Sequence, residues 1–268
     1  MDPDQAVLER IAQLAQSPTD QPRHVLNAVL QIAAARRIRY LAEYLIHKAG
    51  GAIVQSGPFA GMKYLPTSSG SLLPPKLLGC YEAELHAVVG RIIAAGYQNV
   101  VNIGCGEGYY AVGLARVMPR SRVIAFDSTP LAQRLCTQLA ELNGLSGHVN
   151  VRATCGHAEL SESVQSKSVV LCDCEGGETA LLDPEKVVAL QRCDILVELH
   201  EFLDPLITER MTRRFSETHD IELISHGPRD PNEFPLLRGL SQLDQMLSMH
   251  EGRPGPTPWA FLRARAET

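Results

Sequence analysis

Residues 100–127 read VVNIGCGEGYYAVGLARVMPRSRVIAFD: an apolar run, a glycine-rich turn, a helical stretch and a second apolar run that closes on an acid. Strand, turn, helix and strand in that order are how an α/β protein cradles a nucleoside cofactor. Gly104 and Gly106 suit a tight turn whose backbone must approach a ligand closely, because a Cβ would block both the dihedrals and the approach. A dinucleotide fingerprint would place its third glycine at position 109, where Tyr109 stands, with Gly108 before it. The resulting G-x-G-x-G fits a pyrophosphate less well. Asp127 lies 23 positions after Gly104, where a carboxylate can accept hydrogen bonds from ribose hydroxyls at the switch point of a sheet. A nicotinamide or flavin domain is the alternative.

The rest of the chain continues the alternation. Strands are expected at 148–154, 168–174, 195–202 and 221–226, with helices at 131–142, 184–191 and 205–218. A last apolar stretch, 259–263, follows the proline turn RPGPTP, and 233–250 reads as an extra helix where a substrate lid could sit. Strands alternating with helices imply a mainly parallel sheet covered on both faces. Ahead of it, 4–48 carries helical spacing that restarts at Pro22, an N-terminal helical cap. Its Arg36, Arg37 and Arg39 could meet an anionic substrate or form a solvated helix face. Gly, Pro and Ser dominate 50–79, which reads as loop and turn, and 81–95 is amphipathic. Two parts are therefore expected: a cap and linker over 1–79 and a cofactor-binding domain over 80–268.

Composition narrows the partners. With 25 basic and 30 acidic residues the formal charge is −5, and no basic tail offers itself to nucleic acid. No apolar run approaches the roughly 18 residues of a membrane span. The start MDPDQAVLER lacks the basic and apolar parts of a signal peptide, so a cytoplasmic protein is expected. Seven cysteines include no C-x-x-C pair, which favours buried reduced thiols over disulfides or a zinc site. A homo-oligomer is compatible with all of this.

Acids and imidazoles gather at the expected strand ends. The fourth strand finishes LCDCEGGE and the fifth LVELHEF, so alternation would put Asp173 and Glu175 on one face, and Glu198 and His200 on one face. The sixth ends at His226. Two routes are open for such a group. His200, helped by Asp173 and Glu198, could take a hydroxyl proton as general base. Alternatively Asp173, Glu175, Glu198, His200 and His226 could hold a divalent cation that lowers the pKa of a bound alcohol.

The glycine turn with its acid resembles the cofactor half of class I S-adenosylmethionine-dependent methyltransferases. The run D-x-E-G-x-E at Asp173, Glu175, Gly176 and Glu178, followed by V-E-x-H at Val197, Glu198 and His200, looks like the FkbM-type enzymes, which modify hydroxyl groups of sugars and natural products. The resemblance covers about residues 80–263. It implies a Rossmann-like α/β fold with seven strands, the seventh antiparallel beside the fifth and sixth. It also implies S-adenosylmethionine as cofactor, held by Asn102, Gly104, Gly106, Gly108, Asp127, Ser128, His157, Ala158, Asp173 and Glu175, with His157 at the adenine ring. The implied activity is O-methylation of a small molecule or glycan. An RNA or protein methyltransferase is the alternative, although the N/D-P-P-Y/F tetrapeptide of amino-group enzymes is missing where Asp173-Cys174-Glu175-Gly176 stands. A non-catalytic binding module is the other.

Overall fold

The computed structural model describes residues 2–16, 21–165 and 167–265. Residues 17–20, within the expected cap, lie outside the described residues. Seven strands form one sheet: β1 (Asn99–Ile103), β2 (Arg122–Phe126), β3 (Val149–Arg152), β4 (Ser168–Cys172), β5 (Asp194–Glu198), β6 (His219–Ile224) and β7 (Trp259–Ala264). Their order is β3-β2-β1-β4-β5-β7-β6. The first five are parallel and β7 runs antiparallel to β5 and β6, as the resemblance implied. Strand order reverses between β1 and β4, where Ile103 stands opposite Cys172.

Alternation along the strands builds two apolar layers. Val100, Val123, Ala125, Val169, Leu171, Leu196 and Phe261 face one side. There they meet α4 (His86–Ala95), α5 (Tyr109–Val117) and α6 (Pro130–Leu142). Val101, Ile124, Val170, Ile195, Val197 and Leu262 face the other, against α7 (His157–Ser163) and α9 (Ile207–Phe215). Strands covered on both faces read as continuous apolar runs, which is why β1 and β4 are buried throughout. Among the described residues no helix is long and apolar enough to cross a membrane.

Several elements are shorter than the apolar patterns suggest. β4 stops at Cys172, β5 at Glu198 and β6 at Ile224, so Asp173, Glu175, His200 and His226 lie in the loops beyond, and Glu198 is the last residue of β5. β6 neighbours β7 and not β5, which removes His226 from the strand ends it was expected to join. The 184–191 helix is replaced by α8 (Glu178–Leu181) and a 3-10 turn at Val188–Arg192, because Asp183 caps the amide of Glu185 and Pro184 carries no donor. Over 233–250 the prolines favour two 3-10 turns, Pro231–Glu233 and Pro235–Leu237, and only α10 (Gln242–Ser248) is α-helical.

The N-terminal part packs into the same apolar layer as the sheet. α1 (Pro3–Gln16) lies on α2 (Pro22–Ala49), and Ala42 and Leu45 of α2 join the layer over α4 and α5. Two members of the arginine cluster serve structure: Arg36 pairs with Asp4, and Arg37 makes two 2.7 Å bonds to Asp244 of α10, while Arg39 is exposed. The 50–79 segment is a strap with a buried helix, α3 (Leu73–Leu78). Phe59 of the strap lies against α5 where a Cβ on Gly113 would come within 2.6 Å of the ring. Glu107, inside the glycine turn, has no exposed surface. It accepts hydrogen bonds from Tyr64 Oη (2.6 Å), Ser68 Oγ (2.8 Å), the Ser69 amide (3.0 Å) and Lys76 Nζ (2.5 Å). Burial pushes the Glu107 carboxyl up, but Lys76 and the Tyr64 hydroxyl outweigh it and hold the group below the ordinary range.

That pairing predicts two outcomes. Lys76→Met leaves a buried carboxylate unpaired and should cost about 3–5 kcal/mol in urea unfolding at neutral pH. A carboxyl held low stabilises the fold above its unfolded value of about 4.3 and loses the contribution as the pH falls through the folded value. Wild-type stability should therefore drop below about pH 4, and Glu107→Gln should flatten that part of the profile.

Candidate functional site

A cavity of about 540 Å³ opens at the carboxyl ends of β1 and β4, where the strand order reverses. The turn after β1 forms one wall. Gly104 has φ 75° and sits so close to the next strand end that a Cβ would lie 1.5 Å from the Asp173 carbonyl oxygen. Only glycine fits there. The amides of Gly104 and Cys105 both donate to the Phe126 carbonyl at 2.9 Å, fastening the turn to β2. Asp127, next along, accepts from the Gly106 amide at 2.9 Å and the Thr129 amide at 2.8 Å and faces the cavity with Ser128. Asn102, buried at the end of β1, also lines it, and its Oδ1 has no hydrogen-bond partner.

The structure separates other expected cofactor residues from this wall. Gly108 lies behind it, where a Cβ would press on Cys136 Sγ at 2.9 Å, so its role is to pack α5 against α6. His157 and Ala158 begin α7 and do not line the cavity; Thr154 and Cys155 do. The His157 Nε2 donates to the Ala180 carbonyl at 2.9 Å.

The opposite wall is acidic. Asp173 and Glu175 follow β4 in a loop and not in the strand, so alternation does not bring them together. A turn does, with positive φ at Glu175 (54°) and Gly176 (98°). Both reach His200, whose Nε2 lies 3.5 Å from Asp173 Oδ1, 3.5 Å from Glu175 Oε2 and 3.4 Å from Glu198 Oε2. On the far side of the ring, Nδ1 lies 2.9 Å from Oε1 of Glu178, a fully buried carboxylate that also accepts from the amides of Cys174 and Gly176. Burial lowers the His200 imidazole, but Glu178 and Glu198 outweigh it and hold the ring above its ordinary pKa. Burial, followed by the charge of Glu198, pushes the Asp173 carboxyl well above the carboxylate range. His226 stands apart: its half-exposed ring faces Glu84 at 3.4 Å.

Sequence reasoning missed the third part of the site. Arg253, from the proline turn before β7, pairs with Glu82 (2.9 Å), Glu251 (2.9 Å) and Glu198. Burial, followed by the charge of Glu198, pushes the Glu82 carboxyl up to about 8 against the pull of Arg253, and Tyr110 Oη also donates to it. Glu82 and Arg253 are 171 positions apart, so no local spacing connects them.

No family model matches the sequence, and no curated protein matches it. Solved structures do. An O-methyltransferase from Bacillus cereus in complex with SAH is 14% identical with a TM-score of 0.48, over 69% of this chain and 82% of that one. TomG, an O-methyltransferase from Streptomyces achromogenes involved in tomaymycin synthesis, in complex with SAM, is 13% identical with a TM-score of 0.46, over 72% and 83%. A precorrin-6Y C5,15-methyltransferase from Geobacter metallireducens is 12% identical with a TM-score of 0.44, over 66% and 87%. At these identities the likeness is one of fold.

Glu82 gives a pH test. A carboxyl raised in the fold favours folding while protonated; its contribution is whole below the unfolded value of about 4.3 and gone once the pH passes the folded one. Glu82→Gln, neutral throughout, should unfold in urea close to wild type at about pH 4 and later than wild type at about pH 9. Parallel profiles would contradict the assignment.

Proposed function

We propose that the protein is an S-adenosylmethionine-dependent methyltransferase that methylates a hydroxyl of a small molecule, sugar or natural product, with the FkbM-type enzymes as its nearest pattern. One observation carries the reading: the glycine turn and Asp127 share a switch-point cavity with an acidic wall and no place for a pyrophosphate. A dinucleotide needs its phosphates at the start of the helix after the turn. Here that position follows Glu107, a buried carboxylate held below its ordinary pKa, and the strap covers it through Ser69. Lys76 neutralises that carboxylate, so the start of the helix is filled by a closed, strap-covered ion pair where a dinucleotide would seat its phosphates.

The residues present fit that cofactor. Gly104 and Gly106 leave the turn backbone bare, Asp127 is oriented by two amides to accept from ribose hydroxyls, and Asn102 Oδ1 is a buried acceptor in need of a donor. The cofactor supplies an activated methyl group. The chain supplies alignment and acceptor activation. Asp173, Glu198 and His200 line the cavity beyond the turn, and we place the acceptor oxygen against them. Arg253 holds Glu198 from behind, and Glu178 fixes the ring of His200. On the loop beyond β5 the exposed Phe202 lines the cavity, where an organic acceptor would enter.

Calorimetric titration with S-adenosylhomocysteine tests the reading. Wild type should bind, and Asp127→Ala should weaken binding by about 1–3 kcal/mol, the loss of hydrogen bonds to a charged acceptor. A melting temperature raised by NADH and unmoved by S-adenosylhomocysteine would replace this reading with the dinucleotide one.

A further inference from the structure

The residues around His200 are spaced for something other than hydrogen bonding. An N–H donor meets a carboxylate at about 2.7–2.9 Å. Asp173, Glu175 and Glu198 all stand 3.4–3.5 Å from the one Nε2 atom. Two ligands about 2.1 Å from a common ion lie about 3.0 Å apart at a right angle and about 3.4 Å apart at a tetrahedral one. One ligand atom each from Asp173, Glu175 and His200 falls within a mutual 4.8 Å.

A crowd of acids alone would mean little, but two further observations point to a ligand. His200 is 3% exposed at its side chain and lines the cavity, and its Nε2 meets three carboxylates only at 3.4–3.5 Å, longer than a charge-assisted hydrogen bond. Asp173 Oδ1, beside it, is buried and without a hydrogen-bond partner. Behind the ring, Oε1 of Glu178 stands 2.9 Å from Nδ1 and, accepting from the amides of Cys174 and Gly176, anchors the very loop that carries the two acids. A carboxylate on the far nitrogen of an imidazole is the usual device for fixing a metal-ligating histidine. The second acid–histidine group, Glu84, His226 and Glu251, differs: Arg229 already bridges its two carboxylates at 2.5 and 2.7 Å.

We propose that Asp173, Glu175 and His200 bind a divalent cation, with Glu178 as the positioning residue behind the histidine. Two carboxylates and one imidazole suit a divalent first-row cation, and Mn2+, which favours carboxylate oxygens and accepts imidazole, offers a direct paramagnetic readout. Three protein ligands leave positions open to the cavity for water or an acceptor oxygen. The cation would lower the pKa of an alcohol bound there, a role that rests on the methyl-transfer reading; its binding does not.

The test reads binding. Chelator-stripped protein is titrated with Mn2+ while the electron paramagnetic resonance signal of the free ion is followed. Wild type should remove the signal up to one ion per chain. Glu175→Gln, at a side chain 73% exposed and so harmless to folding, should weaken binding about 10-fold or more. His200→Ala should abolish it, and His226→Ala should leave it unchanged. A signal undiminished by wild type, or binding equal in wild type and Glu175→Gln, overturns the proposal. Titrating the same samples with S-adenosylhomocysteine separates the two readings: nucleoside binding without Mn2+ refutes the cation alone, and Mn2+ binding without the nucleoside refutes methyl transfer alone.

Discussion

Glu107 is the charge on which the rest of the molecule closes. It sits in the one turn that no side chain can rearrange, between glycines with positive φ, and it is wholly buried. Left alone such a carboxylate would cost several kcal/mol. Lys76 and three further donors from the strap satisfy it, so the segment before the sheet is part of the cavity wall and not an appendage. The same pairing places Ser69 and its neighbours over the turn. A surface loop thereby becomes the roof of the cavity.

Across the cavity the balance is reached differently. Arg253 bridges Glu82, Glu198 and Glu251 together, while the acids nearer the strand ends share a single imidazole. One wall is thus a closed ionic lattice. The other keeps excess negative charge facing open space, which is where chemistry on a cation or a polarised hydroxyl would be expected.

The sheet was legible because its strands are buried on both faces and therefore uninterrupted in their apolar character, and because the turn at Gly104 leaves no alternative residue. Helix lengths were less so: Pro184 and Pro235 cut patterns that periodicity alone would extend. Of the site, Asp127, Asp173, Glu175, Glu198 and His200 were visible as polar residues at the ends of apolar runs. The route by which Glu175 reaches His200 was not, since it depends on a left-handed residue pair and not on strand alternation. Glu82, Lys76 and Arg253 were invisible for a simpler reason. Their partners lie far away in sequence, and single acids or bases in a loop carry no pattern.

The pairing of Arg37 with Asp244 spans 207 positions. Closing so long a loop costs chain entropy, so this contact forms only after the segments between the two residues have folded. The apolar side of α2 is covered by near neighbours in sequence, α3 and α4, while its charged side is held by a distant one, so the two faces of a single helix are fixed by contacts of very different range.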